Sequence, residues 1–287
     1  MRVIKSIWQQ SVRQFTIYRA TSLMTFSLAL VFYGIELLTG YVYFEADLVV
    51  KGWSRSDYFV LITAIALITY LYDFFFLIGH EELSFHILEG TLDQQLLRPV
   101  DPYWFVSAGN FDLPSLFNAL CTSGVLVYLL AQYDLSFMQL IGLLSAVFLG
   151  VVFLFVIDQL LVCLAFWFES PLSFTGLVED LTDLLSRPKV FFPKVFQLFF
   201  LYVLPFLLLS NLPVMVVKGQ KAVWSLGYLA LLDLGLYLPS SLLFFTQFSP
   251  IIIARNLGVS LSLYIFIPPK KLCDKVSQSF LLFIFFE

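Results

Sequence analysis

Five long apolar stretches, residues 22–44, 58–79, 113–133, 195–217 and 222–246, settle the class of fold before any other feature is weighed. About 20 apolar residues carry a helix across roughly 30 Å of bilayer hydrocarbon, and a helix satisfies every backbone N–H and C=O internally where water is absent. The expected fold is therefore all-α, an integral membrane helical bundle. Only 13% of the residues are charged, against about a quarter in soluble domains. The external connections read as too short to hold a separate domain.

The block from Phe137 to Phe168 corresponds to about 48 Å of helix. That is too long for one perpendicular span and too short for two with a turn. Charge arbitrates. Read as one span, 137–160, it gives six spans and puts twelve Lys/Arg on the N-terminal side against four opposite. Read as two, it reverses everything downstream and erases the positive-inside bias. The expectation is six transmembrane helices within a permease-sized domain, 1–247, with both termini cytoplasmic and the fourth helix tilted or projecting.

Two polar segments carry helical periodicity. In 81–97, Phe85, Leu88, Leu92 and Leu96 share one face while Glu82, Glu89 and Asp93 lie opposite. Pro99 ends it by disfavouring the α conformation at Arg98, and Asp101-Pro102 reads as a new helix start. In 173–185, Phe174, Leu177, Leu181 and Leu184 oppose Glu179, Asp180 and Asp183, and Pro188 follows. Helices lying on anionic lipid favour Lys/Arg on the polar face. An acidic face suits a protein partner instead.

Much chemistry is excluded. A net charge of -4 without a basic cluster offers no footprint for nucleic acid. The cysteines Cys121, Cys163 and Cys273 are far apart and read as packing residues. No phosphate-cradling GxxxxGK[ST] stretch occurs, and His80 and His86 lack the spacing of a metal site or a nucleophile-base pair. Catalytic residues and metal ligands are thus expected to be none. The basic N-terminus, Arg2, Lys5, Arg13 and Arg19, precedes an apolar run too long for a signal peptide, so no cleaved leader is expected.

Four carboxylates, Glu36, Asp73, Asp158 and Asp233, fall inside apolar runs, where each costs about 2.5–3.5 kcal/mol on insertion scales and so faces a bundle interior or a wet cavity. They are candidates for a transport path, weighed against a purely structural, hydrogen-bonded role. Pro205 and Pro213 interrupt 195–217, each removing a backbone hydrogen bond, and mark either a hinge or an ordinary kink.

Several stretches resemble the permease subunits of bacterial ATP-binding-cassette exporters, type-2 class, in the branch with a Leu-Leu-Arg-Pro signature. The resemblance rests on "GWSRSDYFVL" (52–61), "EGTLDQQLLRPVDP" (89–102), "AFWF" (165–168), "RPKVFFP" (187–193), "VLPF" (203–206) and "NLPVMVVKG" (211–219). It implies transport by alternating access, a partner ATPase subunit holding ATP and Mg, a second permease subunit to complete a homo- or heterodimer, and residence in the bacterial cytoplasmic (inner) membrane. It also implies an ATPase-coupling role for Glu89, Asp93, Arg98 and Pro99. Two positions depart from the pattern: Arg187 stands where Tyr is usual, and Val214 follows Pro213 where a small residue is common.

Residues 248–287 fit the pattern least. Their apolar pieces "SLSLYIFI" and "FLLFIFF" are too short to span, so the tail reads as divergent or frame-shifted. The rival functions are a membrane scaffold without transport activity and an intramembrane enzyme.

Overall fold

The computed structural model describes residues 2–45, 52–89, 102–165, 176–220 and 222–256. Among them every regular element is helical. Helix α1 (Arg2–Ile17) precedes α2 (Arg19–Glu45), α3 (Arg55–Tyr72) and α4 (Ile78–Glu89). Then come α5 (Pro102–Ser107), α6 (Leu113–Leu130), α7 (Phe137–Ala165), α8 (Leu177–Leu185), α9 (Lys194–Tyr202), α10 (Phe206–Val217) and α11 (Val223–Asn256). Five helical stretches, beginning at Arg19, Arg55, Leu113, Phe137 and Ala222, are long and apolar enough to cross a bilayer, and α9 with α10 are so only when taken as a pair across a sharp bend.

Helix α3 is the centre of the bundle, packing against α2, α6, α7 and α10, while α11 packs along α7. Ser54 starts α3 with a capping box: its hydroxyl accepts from the Asp57 N–H at 3.1 Å and its own N–H donates to Asp57 Oδ2 at 2.8 Å. Two donors that the helix itself cannot satisfy are thereby paired. Helix–helix association inside lipid depends on close packing rather than on expelling water. Gly150 illustrates it, since a Cβ there would stand 2.7 Å from Leu209 and 2.9 Å from Ile68.

The second span does not end at residue 79. A π-turn, Asp73–Leu77, joins α3 to α4, so helix runs unbroken from Arg55 to Glu89. The part of the 81–97 segment that is described therefore continues the span instead of forming a separate surface helix. Its inward face also differs from expectation: Leu83 and Ser84 are buried and Phe85 is 53% exposed. Periodicity counts polar residues as outward, yet His80 and Ser84 go inside, and a buried polar group is tolerated where partners satisfy it. Helix α8 repeats the lesson. It buries Val178, Thr182 and Leu185 and exposes Leu184, because the Thr182 hydroxyl donates to the Val178 carbonyl at 2.7 Å and needs no water.

The stretch 195–217, expected as one span, is sharply bent. Gly176 and Glu179 stand beside His80 and Glu81 at one end of the α3–α4 rod, whereas Phe191 packs on Tyr43, and Tyr43 on Tyr58, at the other. The chain thus runs the length of the rod between 176 and 192. Helices α9 and α10 then leave and return at that same end, where Lys218 reaches Asp57. They meet at an 86° bend, a re-entrant pair. Arg187, Lys189 and Lys194, counted by sequence as cytoplasmic, lie on this crossing or beyond it.

A crossing that is only partly helical must satisfy its backbone by other means. The Ser210 hydroxyl donates to the Leu185 carbonyl at 2.9 Å. The Asn211 amide donates to the Arg187 carbonyl at 3.2 Å and accepts from the Lys189 N–H at 3.1 Å. Polar residues of α10 thereby supply what helix would have supplied.

The break falls at Val203–Pro205, while Pro213 sits inside uninterrupted α10, so only one of the two prolines separates helices. The basic N-terminal stretch is also a helix, which charge alone did not suggest. Trp8 and Phe15 of α1 pack on Phe111 and Phe117, and the Ser11 hydroxyl accepts the Phe111 N–H at 2.9 Å.

Candidate functional site

Polar side chains gather at three levels along the α3–α4 rod. At the α3 N-terminus Asp57 is 4% exposed, and its carboxylate accepts from Lys218 Nζ at 2.7 Å and from the Tyr133 hydroxyl at 3.0 Å. Lys218 also donates to the Gly52 carbonyl at 2.7 Å and lies over the Trp53 ring at 5.8 Å. The loop before α3, the turn after α6 and the end of α10 are thus tied at one carboxylate.

At middle depth Glu36 of α2 meets Arg187 of the 176–192 stretch. Guanidinium and carboxylate engage in parallel, Nη1 to Oε2 at 2.5 Å and Nη2 to Oε1 at 3.1 Å. This fork-to-fork geometry is the strongest form of the interaction. Glu36, expected as a lone carboxylate on a transport path, is therefore an ion-paired one, and the departure at Arg187 is answered from another helix.

The innermost level is a buried network. The Tyr72 hydroxyl donates to Asp158, and His80 Nδ1 lies 2.9 Å from the same carboxylate. The other ring nitrogen, Nε2, donates to Gln159 Oε1 at 2.9 Å, which also lies 2.6 Å from the Ser107 hydroxyl. His80 Nδ1 also lies 2.9 Å from the Tyr72 hydroxyl, so the three side chains Tyr72, His80 and Asp158 form one cluster. His80, which sequence gave no role, is the hub. Two of its partners, Asp158 and Gln159, lie 78 and 79 residues away in the chain, so only the folded arrangement reveals it.

Beside this network lies a cavity of about 100 Å³, lined by Tyr72, His80, Glu81, Ser84, Asp158 and Glu179 among others. Glu179 sits within electrostatic reach of Glu81 and Asp158. Acidic groups from three elements thus crowd one small space next to the crossing that begins at Gly176.

The remaining candidates do not join one site. Asp73 opens the π-turn and is buried, with Oδ1 lacking a partner among the described residues. Asp233 is buried on α11 with neither oxygen partnered among them. The side chain of Glu89 and the whole of Asp93, Arg98 and Pro99 lie outside the described residues, as do Cys273 and 257–287. Cys163 is buried beside Gln159, with Nε2 to Sγ at 3.8 Å, and Cys121 is exposed.

A bundle of helices long and apolar enough to cross a bilayer defines a multi-pass membrane protein. Residues 30–248 match the family model for the ABC-2 family transporter protein, and the chain belongs to that family. It is a membrane permease component of an ABC transporter, a family whose members work with an ABC ATPase. None of the curated proteins matches the chain, and neither does any solved structure.

Proposed function

We propose that the chain is the permease subunit of a bacterial exporter of the Leu-Leu-Arg-Pro branch, driven by a separate ATPase subunit that holds the ATP and Mg. Two permeases, identical or related, complete the pathway in the cytoplasmic membrane, with both termini cytoplasmic. The observation that carries this reading is the unbroken rod from Arg55 to Glu89. One end is fixed by the Asp57–Lys218 clamp, and the other ends at Glu89, the first of the residues assigned to ATPase coupling. A push on the segment that holds Glu89, Asp93, Arg98 and Pro99 would act through Glu89 along one helix and on all three polar levels. Alternating access needs such a rigid element with two arrangements.

Co-expression with an ABC ATPase of the same organism tests the proposal. The complex should co-purify and its ATP turnover should change when the permease is present. Glu89→Lys with Asp93→Lys should weaken docking and leave membrane insertion intact. An ATPase that stays soluble with unchanged turnover favours the scaffold reading instead.

A further inference from the structure

We propose that Arg187 is the head-group site for an anionic amphiphile, with Glu36 holding the guanidinium until the ligand's own phosphate, sulfate or carboxylate replaces it. The inference deepens the exporter reading, on which it rests for calling that ligand a substrate. The Arg187 fork presents two parallel N–H donors to a planar or tetrahedral anion, and Glu36 now occupies both of them. The pair is not sealed in the core: the side chains are 25% and 38% exposed.

A second observation points to a missing ligand atom. The Tyr58 hydroxyl is buried beside Arg187, which can only donate to its oxygen, so its own proton finds no acceptor among the described residues. A buried donor left unpaired is unfavourable. An anion larger than a carboxylate, with a further acceptor oxygen, would take its proton as a hydrogen bond while filling the Arg187 fork.

The surroundings set the rest of the chemistry. Phe32 and Ile35, adjoining Glu36 on α2, are 60% and 50% exposed, and Val190 and Phe191, next along the crossing from Arg187, are 45% and 46% exposed. A charged fork opening among apolar side chains at the depth of Asn211 suits a ligand with an anionic head and a hydrocarbon tail. A small hydrophilic anion would gain nothing from those neighbours and would lose its hydration.

The full-length permease in phosphatidylcholine nanodiscs, without its ATPase, is titrated with a fluorescent long-chain alkyl phosphate and read by anisotropy. Glu36→Gln removes the internal competitor and should tighten binding at least about tenfold, since occupancy of the fork by Glu36 scales down the apparent affinity. Arg187→Gln alone leaves Glu36 unpaired and risks misfolding, so the Glu36→Gln/Arg187→Gln double variant, neutral at both positions, is the control that should fold and lose binding. Dodecyl phosphate should displace the probe; dodecylphosphocholine should not. Displacement by phosphatidylglycerol added to the discs supports the site and names the bilayer as its source. Equal displacement by inorganic phosphate, unchanged affinity in Glu36→Gln, or wild-type affinity in the double variant overturns the proposal. Normal probe binding by a permease that fails to engage any ATPase would sink the exporter reading and leave this site standing.

Discussion

Lys218 Nζ and Asp57 Oδ2 lie 2.7 Å apart although 161 residues separate them in the chain. The contact fastens the end of α10 to the start of α3, and the two side chains are 26% and 5% exposed. Lys218→Met leaves Asp57 its Ser54 and Tyr133 donors but no counter-charge. The expected loss is about 3 kcal/mol, at the low end for an uncompensated buried charge, read as a lower melting temperature in detergent. The paired variant Asp57→Asn/Lys218→Met should recover most of it.

Close packing can be tested at one glycine. A Cβ on Gly79 would stand 2.2 Å from the Ser107 carbonyl oxygen and 2.6 Å from its carbon. Backbone atoms cannot rotate away as a side chain would, so Gly79→Ala should force α4 from α5 and cost about 3 kcal/mol or more, as overpacking in tight sites does. Gly34, with nothing within 4 Å of its Cβ position, is the control. Gly34→Ala should be neutral or gain up to about 1 kcal/mol from helix propensity.

The re-entrant reading of α9 and α10 makes a topological prediction. With Cys121, Cys163 and Cys273 replaced by serine, Lys194→Cys should react with a membrane-impermeant maleimide added outside intact cells. The same side as Lys218→Cys is expected, because Phe191, through Tyr43 and Tyr58, and Lys218, through Asp57, both approach the start of α3. Labelling of Lys194→Cys only after permeabilisation would restore 195–217 as the fifth crossing.

In the inner network Tyr72→Phe removes one donor to Asp158 and should cost about 0.5–1.5 kcal/mol, the range for a typical intramolecular hydrogen bond. Asp158→Asn should cost more, since it also removes the partner of His80 Nδ1. If the double variant loses no more than Asp158→Asn alone, the two side chains act as one unit. Thermal melts of the four proteins complete this cycle.

Asp233 carries two buried oxygens without partners among the described residues. Asp233→Leu should therefore raise the melting temperature, since an unsatisfied buried polar group costs about 1–3 kcal/mol. Greater stability with transport lost would place Asp233 on the pathway. Greater stability with transport retained would remove it from the candidates.

The membrane class, and the residues that would form its long helices, were legible from sequence because the bilayer imposes one rule on every span: a sufficient run of apolar residues. The weakness of Pro205 was legible for the same kind of reason, since proline lacks an N–H wherever it occurs. Tertiary structure decided the rest. Whether Asn211 serves the Arg187 and Lys189 backbone, whether Arg187 finds Glu36, and whether His80 faces inward depend on which distant groups arrive beside them. Periodicity weighs each residue by its own polarity, whereas burial of a polar group depends on its partners, and those partners are brought together only when the helices pack.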